Sequence, residues 1–241
     1  MKSYISHLEC TWCGTTYSVD ERMRLCQECG KVLYARYDLD TARIEVPRAV
    51  LADRPADMWR YFEMLPVKNE SNIVSLGEGL TPILAAPRLG RAVGSDDLLI
   101  KDEGQNPTGT FKSRGLSAAV SKAKELGVVG VTIPTAGNAG GALASYAARA
   151  GMSSHVFMPK DASEANKKEV VHAGGELVLV DGLIGEAGQQ SRQVAEEQDM
   201  FDLSTLQEPY RAEGKKTMGY EIAEQMDWTF PDAIIYPTGG G

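Results

Sequence analysis

All four cysteines of the chain fall near its start, as Cys10, Cys13, Cys26 and Cys29, with Gly14 and Gly30 directly after the two pairs. They read C-x2-C-x12-C-x2-C. Two tight turns can bring thiolates at this spacing together to close a tetrahedral, all-sulfur zinc site. The gap between the pairs is a little shorter than the usual ~15–20 residues and still fits a short hairpin. Four sulfurs leave no open coordination position, so the expected role is structural. Two disulfides or free thiols are the other readings. Disulfides are disfavoured in a reducing compartment, and free thiols need no paired spacing. His7 is near enough to compete as a ligand, but reads as a solvated surface histidine.

Three further segments carry residues suited to chemistry. In K-D-E-G-Q-N-P-T-G-T-F-K-S-R-G, residues 101–115, a Pro-Thr-Gly turn feeds a helix and puts Lys112 in its first turn. The positive end of a helix disfavours an ammonium there. A desolvated lysine gives up its proton readily, which suits it to Schiff-base chemistry. The plainer reading is a surface lysine at an ordinary helix start. In P-T-A-G-N-A-G-G-A-L-A-S-Y-A, residues 134–147, Gly137 and Gly140 offer backbone N–H groups at a helix start, a place for a carboxylate or phosphate. Asn138 can bond a ring hydroxyl, or can simply hold a left-handed turn. In D-A-I-I-Y-P-T-G-G-G, residues 232–241, an apolar strand runs into Gly239, Gly240 and Gly241, the pattern of a backbone nest for a phosphate, or else a flexible tail. The helix that should follow such a loop is missing, so the chain reads as a C-terminally truncated fragment.

The elements that must position these residues show an α/β texture. After short strands around 31–50 and a short helix in L-A-D-R-P-A-D-M-W-R-Y-F-E-M-L-P-V, β runs alternate with helical runs. The strands are L-L-I-K, V-V-G-V-T-I-P, H-V-F-M-P, E-L-V-L-V and A-I-I-Y-P; the helices lie near 111–126, 139–151, 163–173, 184–199 and 212–226. That alternation signals parallel βαβ units and doubly wound parallel sheets, whose ligands bind beyond the carboxyl ends of the strands. Lys+Arg 25 against Asp+Glu 33 leaves a net charge of −8 over 241 residues, and no basic patch emerges in residues 1–34, so a nucleic-acid partner is not expected. No apolar run is long enough for a membrane span, and M-K-S-Y-I-S-H-L-E-C lacks a signal core. A cytoplasmic protein is the expectation.

Taken in order, G-E-G-L-T-P-I at 77–83, N-P-T-G-T-F-K-S-R-G at 106–115, T-A-G-N-A-G at 135–140, E-P-Y-R-A-E-G-K-K-T-M-G-Y-E-I-A-E-Q at 208–225 and P-T-G-G-G at the end resemble the threonine synthase family. That family belongs to the tryptophan-synthase-β-like type II fold of pyridoxal 5′-phosphate enzymes. The likeness covers roughly residues 70–241, and an N-terminal zinc ribbon occurs in some members. It implies that Lys112 is the catalytic lysine and carries the cofactor as a Schiff base. It implies that Asn138 bonds the cofactor's 3′-hydroxyl and that Gly239, Gly240 and Gly241 begin its phosphate cradle. Thr135, Gly137, Asn138 and Ala139 would receive the substrate α-carboxylate, and Arg211 its phosphate. Some members carry an Asn-Ser pair shortly before that arginine, where this chain has S-T-L-Q-E.

The implied reaction turns O-phospho-L-homoserine and water into L-threonine and phosphate. The implied organisation is a zinc ribbon (1–34), a connecting arm (35–75), the start of a large domain (76–104), a small mobile domain (105–212) and a return to the large domain (213–241). A homodimer is common in the fold. Within the fold, threonine or serine dehydratases usually show a histidine after the Gly-Asn pair, where this chain has Ala139. Cysteine synthases show T-S-G-N-T-G, and a cysteate- or cysteine-synthase-like enzyme is the other alternative.

Overall fold

The computed structural model describes residues 1–237. At the start, β1 (Ile5–Cys10) pairs antiparallel with β2 (Thr16–Tyr17) and with β3 (Leu33–Tyr37) in a small sheet of order β2-β1-β3. Gly14 and Gly30 take φ of 73° and 69°, a left-handed backbone that glycine adopts without penalty. Their amides donate to the carbonyls of Cys10 and Cys26. Each cysteine pair thus closes into one tight turn.

After α1 (Leu39–Glu45), the expected short helix over 51–67 is replaced by two 3-10 segments, Arg48–Asp53 and Met58–Met64. Pro55 explains the break. A residue before proline is pushed out of the helical region, and Arg54 is extended at φ −93°, ψ 151°. Asp57 then restarts the chain by accepting from the Trp59 amide at 2.8 Å. Next, β4 (Ile83–Ala85) and β5 (Leu99–Lys101) form an antiparallel pair flanking α2 (Pro87–Val93).

The rest follows the alternation in the sequence: α3 (Lys112–Glu125), β6 (Gly130–Pro134), α4 (Ala139–Ala150), β7 (Ser153–Pro159), α5 (Glu164–His172), β8 (Glu176–Val180), α6 (Ile184–Glu197) and β9 (Phe201–Asp202). These strands make a parallel sheet of order β8-β7-β6-β9. Period-2 alternation sorts its side chains. Val131, Ile133, Val156 and Met158 join the α4 side chains Leu143 and Ala144 in one core. Phe157 and Val180 point the other way, onto Ala187 of α6. The larger core also includes Leu8, Met23 and Leu33 of the N-terminal sheet, together with Val120, Phe201, Leu203 and Tyr210. Ribbon and α/β layers therefore share one apolar interior.

The helix expected near 212–226 is two, α7 (Tyr210–Lys215) and α8 (Thr217–Gln225), meeting at Lys216. There the Thr217 hydroxyl donates to the Gly214 carbonyl at 2.7 Å, competing with the helical ladder. The strand expected at A-I-I-Y-P does not form: no β-strand runs alongside it among the described residues, and Ile235 is 96% exposed.

One charged side chain ties these parts together. Arg114, on α3, is fully buried. Its Nε donates to Glu103 Oε2 at 2.7 Å, Nη1 to Glu221 Oε1 at 2.5 Å and to Thr217 Oγ1 at 3.1 Å, and Nη2 to Glu103 Oε1 and Glu221 Oε2. Burial works against the charge, but the two carboxylates outweigh it and hold the guanidinium's pKa above its ordinary value. Removing one member of such a set strands the others unpaired in the interior. Arg114→Ala is therefore expected to cost about 3–5 kcal/mol in urea unfolding. Lys68→Ala, which breaks the exposed pair with Asp20, is expected to cost under about 1 kcal/mol.

Candidate active site and metal centre

Lys112 opens α3, and α7 crosses directly over that end of the helix. The crossing is closer than side chains allow. A Cβ on Gly214 would sit 2.0 Å from the Arg114 carbonyl oxygen, and one on Gly115 would sit 2.9 Å from that of Arg211. Two glycines facing opposite backbones thus let α7 bring Arg211 and Lys215 to the lysine.

The Lys112 amine is half-buried and lies 4.0 Å from the centroid of the Phe111 ring. Its pKa is pushed down to about 8, first by burial and then by the positive charges of Lys215 and Arg211. Those two neighbours lie far along the chain, and the sequence reading had only the helix end to invoke. Arg211 is buried, and its Nη1 donates to the Leu203 carbonyl at 2.8 Å and to Thr205 Oγ1 at 3.0 Å.

Among the described residues, Glu208 and Asp202 set negative charge against Arg211, and Glu208 also faces Lys215. Glu208 is buried and accepts from the amides of Tyr210 at 2.6 Å and Arg211 at 3.2 Å, capping the start of α7. Burial pushes its carboxyl up to about 7, against the pull of Arg211. Glu208 and Lys215 were not picked out from the sequence. For Lys215 the signal is there, since it follows Arg211 at i+4, the spacing that shares a helix face.

The loop after β6 lies at the carboxyl edge of the parallel sheet. Thr135 Oγ1 accepts from the Gly137 amide at 3.1 Å, and the Thr135 amide donates to the Phe157 carbonyl at 2.9 Å. Asn138 is exposed and right-handed at φ −58°, so the turn does not require it for left-handed backbone. Ala139 is the first residue of α4, whose start carries no side-chain cap. Gly140 lets the helix approach the sheet, since a Cβ there would meet Met158 Cε at 2.6 Å. The Tyr236 ring packs edge-on against Phe111 at 5.5 Å, bringing the segment 232–237 beside Lys112. Gly239, Gly240 and Gly241 lie outside the described residues.

Lys112, Arg211 and Lys215 thus form one electrostatic cluster, whereas Thr135, Gly137, Asn138 and Ala139 form a separate loop at the start of α4. The two are joined through Tyr146 of α4, whose hydroxyl interacts with Ser113 and donates to the buried Glu78 at 2.6 Å.

At the other end of the chain the four cysteine sulfurs all lie within 4.8 Å of one another. Cys10 and Cys29 are 3.5 Å apart, as are Cys13 and Cys26. A tetrahedron of sulfurs about 2.3 Å from a zinc ion has edges of about 3.8 Å, so the donor set fits such an ion. The Trp12 amide donates to Cys10 Sγ at 3.4 Å, and the Tyr17 hydroxyl lies 3.1 Å from Cys26 Sγ. Among the described residues this is the one His/Cys/Asp/Glu group placed to hold a metal ion, and no helix is long and apolar enough to cross a membrane.

Residues 74–241 match the family described as pyridoxal-phosphate dependent enzyme. The chain belongs to that family. Among curated members of this pyridoxal-phosphate family, it is 39% identical over 231 residues to a threonine synthase of Methanocaldococcus jannaschii, covering 95% of this chain and 56% of that protein. It is 36% identical over 234 residues to a threonine synthase of Methanosarcina acetivorans, covering 97% and 56%. The chain spans about half the length of these relatives. Its fold is that of the type II pyridoxal-phosphate enzymes. It superposes on a crystal structure of a pyridoxal 5′-phosphate-dependent aspartate racemase with a TM-score of 0.56 at 27% identity, covering 61% of this chain and 46% of that one. Maize serine racemase gives 0.57 at 27%, covering 61% and 45%.

The depressed Lys112 pKa has a direct consequence for a pyridoxal-phosphate site, because only a neutral amine attacks a carbonyl carbon. In cofactor-free protein, labelling by acetic anhydride read by peptide mass spectrometry is expected to rise through a midpoint near pH 8 at Lys112. A midpoint near the ordinary lysine value of about 10.4 would contradict the burial and the cation cluster.

Proposed function

We propose that the chain serves a threonine synthase, which releases phosphate from O-phospho-L-homoserine and adds water to give L-threonine. The observation that carries this reading is the pair of cations, Arg211 and Lys215, beside the half-buried Lys112. A substrate with its own phosphate has a use for them. The hydroxyamino acids taken by a dehydratase have no such group. The relatives' names point the same way.

In this reading Lys112 holds the cofactor, Asn138 faces its ring hydroxyl, and the backbone of Gly239, Gly240 and Gly241 begins the cradle for its phosphate. Pyridoxal phosphate, when bound, supplies an electron sink for negative charge developing at the substrate Cα. The chain's own residues do the rest. The loop Thr135, Gly137, Asn138 and Ala139, at the start of α4, receives the α-carboxylate at a helix's positive end. Arg211 holds the phosphate that will leave, with Lys215 adding charge. The Lys112 amine takes protons from Cα and Cβ and returns them, a task that favours a pKa near working pH. Segment 105–212, which contains the parallel sheet, closes over the substrate as a small domain and keeps water out until it is needed. The large domain comprises 76–104 and 213–241, reached through the arm 35–75.

The ribbon of residues 1–34 holds a structural Zn2+ on Cys10, Cys13, Cys26 and Cys29. The thiol-only donor set and its tetrahedral spacing support this. Metal analysis is expected to give one zinc per chain and none in Cys26→Ser, with the thermal midpoint falling in the variant. Full zinc content in that variant would remove Cys26 from the set.

The function is tested with the full-length enzyme, pyridoxal phosphate and O-phospho-L-homoserine. Phosphate and threonine should appear in equal amounts, and Lys112→Ala should release neither. Formation of 2-oxobutyrate from added threonine, with no threonine made from the phosphorylated substrate, would move the protein to the dehydratases.

A further inference from the structure

The stretch of ribbon between the two cysteine pairs does more than close the metal site. Its residues Arg22, Met23 and Arg24 form the face that meets the end of the parallel sheet. Met23 is buried in the shared core. Arg22 Nη1 donates to Asp199 Oδ1 at 2.8 Å, just before β9, in an exposed pair. Arg24 Nη2 donates to Asp202 Oδ2 at 2.7 Å, in β9 itself, and there the carboxylate is fully buried.

Asp202 spends its other oxygen on the loop that follows. Oδ1 accepts from the Ser204 amide at 3.0 Å and from the Ser204 hydroxyl at 2.6 Å. That same loop presents the Leu203 carbonyl and the Thr205 hydroxyl, both acceptors of the Arg211 guanidinium. A second contact runs parallel to the first. Tyr37, at the end of β3, packs its ring under the Lys216 ammonium, 3.8 Å from the centroid, at the junction of α7 and α8.

From this geometry we infer that Arg24 and Asp202 are positioning residues for Arg211, so that the ribbon sets the phosphate affinity of the active site. The inference rests on the reading of Arg211 as the group that binds substrate phosphate. It is a mechanical linkage. Cys26 fixes the chain two residues beyond Arg24, Arg24 holds Asp202, and Asp202 fixes the loop whose carbonyl and hydroxyl orient the guanidinium. Without the Arg24 charge, the Asp202 carboxylate is left buried without its partner, and the loop 203–205 is free to re-form around it. Arg24 and Asp202 reach the Lys112 amine only through the charge of Arg211, so the loss falls first on binding and less on proton transfer.

The test uses the full-length holoenzyme with Arg24→Ala, Arg24→Lys and Arg211→Ala, and inorganic phosphate as the probe. Arg24→Ala is expected to raise KM for O-phospho-L-homoserine and the inhibition constant of phosphate by about fivefold to tenfold, the scale of coupling within one hydrogen-bonded network. Its kcat, zinc content and cofactor content should change far less. Amide hydrogen exchange over residues 203–211 should quicken in the same variant, and Arg24→Lys, which keeps the charge, should recover part of both effects. Unchanged exchange over 203–211 in Arg24→Ala overturns the linkage, as does an equal fall of kcat with no change in KM. Should Arg211→Ala bind phosphate as the unaltered enzyme does, the phosphate reading of Arg211 fails. The exchange arm then decides the linkage alone: faster exchange sustains it and unchanged exchange overturns it.

Discussion

A buried guanidinium must find acceptors for all its N–H groups, and Arg114 finds them on segments that are remote in sequence. Glu103 and Thr81 come from before α3, while Thr217 and Glu221 come from α8. An arginine at this depth would be untenable without them, so the requirement acts as a topological constraint. It anchors the first turns of α3 against the segment around Gly79 and against α8. Lys112 lies just two residues before Arg114, and its position in space follows from that anchor. Glu78 repeats the pattern nearby, accepting from Trp59, Leu76 and Tyr146 while fully buried. Lys112 therefore stands on a charged interior rather than an apolar one.

Around that anchor, the structure reaches its site by close backbone contact. Gly115 and Gly214 each face a carbonyl of the opposite helix, leaving room for no Cβ. The product is a short distance between α3 and α7, and with it a concentration of positive charge at one lysine. The small N-terminal sheet joins the same interior through Leu8, Met23 and Leu33. The cysteine cluster and the start of α3 thus lie on one continuous body of packed side chains.

Much of this was legible in the sequence because local patterns carried it. The cysteine spacing with its following glycines specified the ribbon, and the alternation of apolar runs with helical ones specified the parallel sheet from β6 to β8. Lys112 was legible from the turn that precedes it. What was not legible depended on remote partners. The β9 strand has only two residues, too few to show a period, and exists because β6 lies beside it. The A-I-I-Y-P run has the composition of a strand, but no β-strand runs alongside it among the described residues. Pro55 split an expected helix through its effect on Arg54. Lys215 reads as an ordinary polar residue until the glycine crossing places it beside Lys112, and Glu208 until burial sets it against Arg211 and Lys215. The burial of Arg211 likewise belongs to tertiary structure, since P-Y-R alone says nothing of the Leu203 carbonyl.

The cluster of like charges at Lys112 also makes its basicity responsive to what is bound. Repulsion from Lys215 and Arg211 helps to hold the amine's pKa down. A dianion seated against those two side chains cancels part of that repulsion, and the amine then holds a proton more firmly. Once the dianion departs, the repulsion returns and the proton is more easily given up. Any anion that entered and left this site would therefore set a cycle in which the same nitrogen is a stronger base on arrival and a stronger acid on departure.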